Sequence, residues 1–147
     1  MKTIHVVAAI IQNDGKLLAT QRGYGDYKGW WEFPGGKIEA RETAEEAIVR
    51  EIREELSINI IVDEYLTTVD YDYPGFHLNM DCFWCSIQNG HLQLLEHEAA
   101  KWLLIEELKQ VNWLPADIMV VDMIEKCGLY DKTCWQDSQK YCHIRQC

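Results

Sequence analysis

Residues 35–58 read GGKIEARETAEEAIVREIREELSI, and no other stretch restricts the fold as tightly. A glycine pair and a short loop lead into a helix. Its start is visible in the side chains: Thr43 with Glu46 three residues on forms a capping box, hydroxyl to backbone amide and carboxylate back to the cap. Ala44, Ile48, Ile52 and Leu56 then recur every four residues, a narrow apolar stripe that needs a core. Beside it fall Ala47, Glu51, Glu54 and Glu55, with Arg50 four residues before Glu54. Spacings of three and four put the carboxylates about 5–6 Å apart at Cβ. At an effective dielectric of ~20 each pair repels by about 3 kcal/mol, against less than ~1 kcal/mol in open water. A solvated face carries that at little cost. A face lining a cleft needs a cation or raised carboxyl pKa values.

The flanking residues bear on that choice. Gly36, Glu42, Arg50, Glu51, Ile52, Glu54, Glu55 and Ile58 stand at the offsets Gly, five residues, Glu, seven residues, Arg-Glu, aliphatic, any, Glu-Glu, two residues, aliphatic. In this the chain resembles the Nudix hydrolase family, and so many fixed types at fixed offsets form a specific signal. Ser57 departs, where the family has glycine. Glycine suits a left-handed residue just past a helix end, and serine there is strained by roughly 1 kcal/mol. The resemblance covers about residues 3–127. It implies an α+β Nudix fold, a mixed β-sheet sandwiched between α-helices, over residues 1–128, with 129–147 as a tail.

The 147 residues suit one domain with a proper core. A formal charge of -10 argues against a nucleic-acid polymer as partner, since such binding relies on clustered Lys and Arg. An acidic protein that handles phosphates needs divalent cations to do so. The apolar run Val6–Ile11 is too short for a leader peptide, and nothing approaches a membrane span. The expected setting is therefore the cytoplasm, as a monomer or homodimer. Of six cysteines, Cys82 and Cys85 lie three apart in a strand-like run and point to opposite faces, a poor metal or redox pair. Cys127, Cys134, Cys142 and Cys147 crowd the C-terminal end with His143, without a recognisable ligand spacing.

Along the chain, Ile4–Gln12 and Lys16–Gln21 read as strands around the turn Asn13-Asp14-Gly15. Arg22 and the loop Gly23–Gly29 follow. Tyr65–Ile87 reads as an antiparallel pair folded at Pro74-Gly75, which sets Tyr73 opposite Phe76, Tyr71 opposite Leu78, Val69 opposite Met80 and Tyr65 opposite Trp84. Asn89-Gly90 signals another hairpin, with a short strand at Gln93–Leu95. The segment Glu96–Trp102 ends a loop and enters a strand, with His97 expected to be exposed. Ile105–Lys109 reads as a short helix. Pro115 opens the last helix, whose stripe is Ile118, Val121 and Ile124 and whose stop is Gly128.

The resemblance also implies the chemistry. Glu51, Glu54, Glu55 and the Gly35 carbonyl would bind Mg²⁺ or Mn²⁺, with Glu96 a further ligand or the base. Arg50 would hold a glutamate in place. Gly36 and Glu42 support the loop, Glu42 alternatively an additional ion. The general base stays open between Glu51 and Glu96. On the match to the family's MutT-like branch, Arg22 contacts the nucleotide. Phe33 and Lys37, flanking the glycine pair, are expected at the substrate, and Tyr73 and Phe76 at the open hairpin end either as surfaces that stack on a base or, the commoner case for each alone, as core or rim packing. Asp117 holds the place that reads the base edge, or alternatively only stabilises the positive end of the last helix. Where the branch carries asparagine, an ionised carboxylate only accepts hydrogen bonds, which favours an amino edge such as cytosine N4. Phe76 stands where that branch has arginine, which weakens an exclusive claim for 8-oxo-dGTP. The implied activity is hydrolysis of a nucleoside triphosphate, cytidine or oxidised, to monophosphate and pyrophosphate. The alternatives are a Nudix hydrolase of ADP-ribose or a dinucleoside polyphosphate, and a non-catalytic nucleotide-binding module.

Overall fold

The computed structural model describes residues 1–131, with seven strands, two α-helices and one 3-10 helix among them. In chain order these are β1 (Lys2–Asn13), β2 (Lys16–Arg22), β3 (Trp31–Glu32), β4 (Gly35–Lys37), α1 (Ala44–Leu56), β5 (Ile58–Tyr73), β6 (Phe76–Gly90), β7 (His97–Leu103), the 3-10 helix Ile105–Gln110 and α2 (Pro115–Cys127). The first hairpin turns at Asp14 and Gly15, both at positive φ (50° and 75°), the backbone that a two-residue hairpin loop of the primed type demands.

The sheet runs β3-β2-β1-β6-β5, with β4 also paired to β1 and β7 to β2. It is mixed: β1 and β6 are parallel from Lys2↔Phe76 to Ile11↔Cys85, and the other pairings are antiparallel. Alternation along β1 sends Ala8 and Ile10 into one core and Val7, Ala9 and Ile11 into another. α2 covers the first core with Ala116, Val120, Val121 and Ile124. α1 covers the second with Ala47, Ile48, Ile52 and Leu56. Burial on both faces is why Val6–Ile11 is an unbroken apolar run. Cys82 and Cys85 fall into opposite cores, where burial pushes both thiol pKa values up.

α1 begins as its capping box requires. The Glu46 amide donates to Thr43 Oγ1 (3.1 Å), and the Thr43 amide to Glu46 Oε1 (2.9 Å). It ends on Ser57 in the left-handed region (φ 60°, ψ 28°), whose amide donates to the Arg53 carbonyl. A Cβ there is the strained component. Ser57→Gly is expected to stabilise the protein by about 0.5–1 kcal/mol, raising Tm by about 2–4 °C in a thermal melt.

Three expectations need correction. First, Tyr73, Tyr71 and Val69 face Phe76, Leu78 and Met80, but Tyr65 faces Phe83 rather than Trp84. Leu66 is an extra residue between Tyr65 and Thr67, and the bulge turns its side chain into the α2-side core. Second, Asn89-Gly90 makes no hairpin. β6 runs on to Gly90, which pairs with Ile58, and a Cβ at Gly90 would stand 2.9 Å from the Ser57 carbonyl oxygen. Third, Gln93–Leu95 is not a strand. The Gln93 and Leu95 amides donate to the Leu56 and Glu55 carbonyls (2.9 and 3.0 Å), serving the end of α1. In α2, Ile118 is half-buried and Val120 takes the inner position.

Beyond α2, the Gln12 side chain brackets the Tyr130 backbone, donating to its carbonyl (3.1 Å) and accepting from its amide (2.9 Å). Leu129 and Tyr130 also pack on the core. The rest of the expected tail, with Cys134, Cys142, His143 and Cys147, lies outside the described residues. Among the described residues no helix is long and apolar enough to cross a membrane.

Candidate active site

The glycine pair brings β4 against β1 and under α1. Gly35 pairs with Ala8 and Gly36 with Val7. A Cβ on Gly35 would stand less than 3.0 Å from the Val7 carbonyl and the Ala8 Cα. One on Gly36 would stand less than 3.0 Å from the carboxylate carbon and both oxygens of Glu51. Absence of a side chain at residue 36 is what lets Glu51 lie on the strand.

Arg50 ties the acidic stretch together. Its Nε and Nη2 grip both oxygens of Glu42 (2.5 and 2.9 Å). Nη1 donates to Glu51 Oε1 (2.9 Å) and Glu54 Oε2 (3.2 Å), and Nη2 to the Lys37 carbonyl (3.1 Å). The Arg50 hydrogen bonds, helped by the Glu39 amide, bring the Glu42 pKa down to about 2. Glu42 and Arg50 stand behind the glutamates and are not in the cavity wall.

Glu55 is the exceptional acid. It is 7% exposed, and its Oε2 is buried with no hydrogen-bond partner. Burial, then the charges of Glu51, Glu96 and Glu32, push its pKa up to about 9. Burial also raises Glu51, against the pull of Arg50. A buried carboxyl group with an unanswered oxygen and three acids near it either keeps a proton or shares a cation. The donor set is oxygen throughout and anionic, which suits a hard divalent ion. Among the described residues no three acids or histidines already close into a cage. Arg50 holds Oε1 of Glu51 and Oε2 of Glu54, which leaves the other oxygen of each for a cation.

A cavity of about 680 Å³ joins this patch to an aromatic end. Gly35, Gly36, Lys37, Glu51, Glu54, Glu55 and Glu96 line it, together with Arg22, Phe33, Tyr73, Phe76 and Asp117. That volume is ordinary for a small-molecule site. Phe33 is buried and stacks on Trp113 (centroids 4.5 Å apart), and its amide donates to Asp117 Oδ2 (2.9 Å). Phe76 keeps a half-exposed ring stacked on Tyr73. Of the two readings of Tyr73, a stacking surface or core packing, the second describes its position. It is 6% exposed, and its hydroxyl accepts from the Ala116 amide (3.1 Å) at an α2 start that has no side-chain cap. Burial pushes its pKa up to about 12. Tyr73 is thus wall, and Phe76 presents the freer ring.

Asp117 also departs from expectation. It is 4% exposed, and burial, followed by the charge of Glu32, brings its pKa up to about 8. At neutral pH it holds its proton more often than not. A neutral acid both donates and accepts, as asparagine does; the acceptor-only reading applies above about pH 8.

Sequence reasoning missed Glu32 and Tyr27, both in the cavity wall. Glu32 stands between Trp31 and Phe33 in an otherwise apolar segment; its opposite charge to Arg22 is the available signal, but only the β2–β3 register makes them neighbours. His97 was expected to be exposed, yet its side chain is 7% exposed, with Nδ1 buried and unpartnered and its pKa lowered by burial.

Comparison with known proteins follows the same lines. The family model described as NUDIX domain matches residues 1–122. The chain is 42% identical over 123 residues to the CTP pyrophosphohydrolase of Escherichia coli K12, covering 83% of this chain and 91% of that protein. It is 27% identical over 128 residues to the 8-oxo-dGTP diphosphatase of the same organism, covering 86% and 99%. The crystal structure of a MutT NUDIX hydrolase from Burkholderia pseudomallei superposes with a TM-score of 0.76 at 28% identity, covering 83% and 98%.

Proposed function

The chain belongs to the Nudix family, and from that membership we propose that it is a divalent-metal-dependent nucleoside triphosphate pyrophosphohydrolase of the cytoplasmic nucleotide pool. Its substrates on this reading are cytidine and oxidised nucleotides such as 8-oxo-dGTP. The observation that carries the reading is the orphaned, buried Glu55 oxygen in a cavity that aromatic side chains also line.

Glu51, Glu54, Glu55 and the Gly35 carbonyl would hold Mg²⁺ or Mn²⁺, with Glu96 beside them. When bound, such an ion neutralises the polyphosphate and lowers the pKa of water. Arg50 fixes Glu51 and Glu54 against the helix. Glu51 or Glu96 takes a proton from water attacking the β-phosphorus. The β–α bridging oxygen leaves with the nucleoside monophosphate, and the β- and γ-phosphates leave as pyrophosphate. Phe33 and Phe76 enclose the base, and Asp117 meets its edge.

Purified protein with Mg²⁺ and CTP, dCTP, 5-methyl-dCTP, 8-oxo-dGTP and ADP-ribose tests this. Pyrophosphate release from a cytidine or oxidised triphosphate is expected. Cleavage of ADP-ribose alone, which yields no pyrophosphate, means the other Nudix chemistry; binding without cleavage of any ligand means a module that only binds.

Asp117 makes the base preference depend on pH. Rising through about 8 it loses its proton and its ability to donate. KM for CTP is expected to fall relative to that for 8-oxo-dGTP between pH 7 and 9. Asp117→Asn, neutral at every pH, removes that change, and above about pH 8, where wild type is ionised, it shifts preference toward 8-oxo-dGTP. An order at pH 9 unchanged in the variant takes Asp117 out of base recognition.

A further inference from the structure

Glu32 is an acid in the cavity wall that this mechanism leaves without a task. It lies on β3 opposite Thr20, two residues before Arg22. Its two oxygens accept from Arg22 Nε (3.2 Å) and Nη2 (2.8 Å), with the Glu32 side chain 18% exposed. The backbone fixes both partners. The Arg22 amide donates to the Trp30 carbonyl (2.9 Å), and its own carbonyl accepts from Gly29 (2.8 Å). The Glu32 carbonyl accepts from Thr20 Oγ1 (3.0 Å). His97 stands at the pair with Nε2 3.8 Å from Glu32 Oε2.

A guanidinium carries five N–H donors in one plane. Glu32 takes the Nε hydrogen and one on Nη2. Three remain, two of them side by side along the Nη1–Nη2 edge. The Arg22–Glu32 pair is neutral as a unit, so it offers direction more than charge. Pairing with Glu32 offsets the charge that a polyphosphate would draw on. The free edge of the guanidinium fits two adjacent neutral acceptors, as on the O2–N3 edge of cytosine or the hydroxyls of a ribose.

We propose that Glu32 is a positioning residue: by holding Arg22 side-on it aims the free guanidinium edge at the uncharged nucleoside part of the substrate. Arg22 then reads the nucleoside and leaves the phosphates to the acidic end. This rests on the triphosphate reading above.

The full chain with Mg²⁺ is compared with Glu32→Gln, Arg22→Ala and the double variant. Glu32→Gln and Arg22→Ala are each expected to raise KM for CTP about tenfold while moving kcat less than about threefold. Each weakens cytidine monophosphate binding, read by calorimetry, by a similar factor, and changes inhibition by inorganic tripolyphosphate by less than about twofold. In the Arg22→Ala background, Glu32→Gln adds less than about twofold. Glu32→Asp, which keeps the charge on a shorter arm, falls between wild type and Glu32→Gln, and stands in if the latter does not fold. Ribose 5-phosphate separates the two acceptors: affinity lost with Arg22 for this ligand too means the sugar, for cytidine monophosphate alone the base. Effects that multiply in the double variant, or tripolyphosphate inhibition weakened as much as nucleotide binding, overturn the proposal. Wild type that releases no pyrophosphate defeats the activity reading instead. Cytidine monophosphate binding then still decides: joint dependence on both residues upholds the positioning role, and independence or no binding overturns it.

Discussion

Glu55→Gln is expected to lower turnover by about a hundredfold or more while leaving Tm within about 2 °C of wild type. Two facts about one side chain give this split. With a pKa of about 9, Glu55 carries a proton through the neutral range, and glutamine reproduces that neutral shape. The ionised carboxylate brings a full negative charge to a divalent cation, and an amide, which can offer only a neutral carbonyl oxygen, never supplies it. Initial rates at saturating Mg²⁺, paired with a melt, measure both halves. Turnover close to wild type would remove Glu55 from the ligand set. The same raised pKa sets a pH dependence in metal-free protein. The stability it contributes is full below the ordinary carboxyl pKa of 4.5 and is lost as pH rises to about 9. Asp117 adds to that slope up to about pH 8. Metal-free Tm should therefore fall across this window, and less steeply in Glu55→Gln.

The second large effect separates two adjacent glycines. Gly35→Ala places a methyl group against the Val7 carbonyl and the Ala8 Cα, backbone atoms held in the β1–β4 ladder and unable to swing aside. We expect a loss of more than about 3 kcal/mol, seen as a Tm drop of roughly 6–12 °C or as failure to fold. Gly36→Ala meets only the Glu51 carboxylate, the far end of a side chain that can turn away. That variant should keep its fold, lose the Glu51–Arg50 contact and fall about tenfold or more in turnover. Equal stability losses in the two variants would show that Gly36 is as tightly confined as Gly35.

What could be read from the chain beforehand follows the range of the forces involved. The start of α1 and its apolar stripe are local, and spacing alone exposed them; the left-handed Ser57 came from the family's glycine at that place. The hairpin at Pro74-Gly75 was legible near its turn, where one residue of register fixes the next. Farther out, Leu66 gains more from burial than from staying in the ladder, and no adjacent residue announces that. The Asn89-Gly90 signal failed because Gly90 is needed for close approach to Ser57 and Ile58. The glutamates, Arg22 and Asp117 were placed by resemblance to a family. Protonation of Asp117 was hidden because it depends on Glu32, a residue 85 positions earlier in the chain, and on burial by distant segments. Glu32 itself looked like an interruption in a hydrophobic run until the sheet set it against Arg22.

The two surplus residues of β5, Asp63 and Leu66, bear on how copies of this chain meet in a crowded solution. Among the described residues β5 ends the sheet order, and at sixteen residues its outer margin offers a long row of amides and carbonyls. A straight margin of that kind templates fibre-like stacking of neighbouring chains. Each surplus residue kinks the row and interrupts its spacing, so the regular stretch beyond Leu66 is only Thr67–Tyr73. The irregularity that defeats a simple register prediction also shortens the straight margin open to a foreign strand.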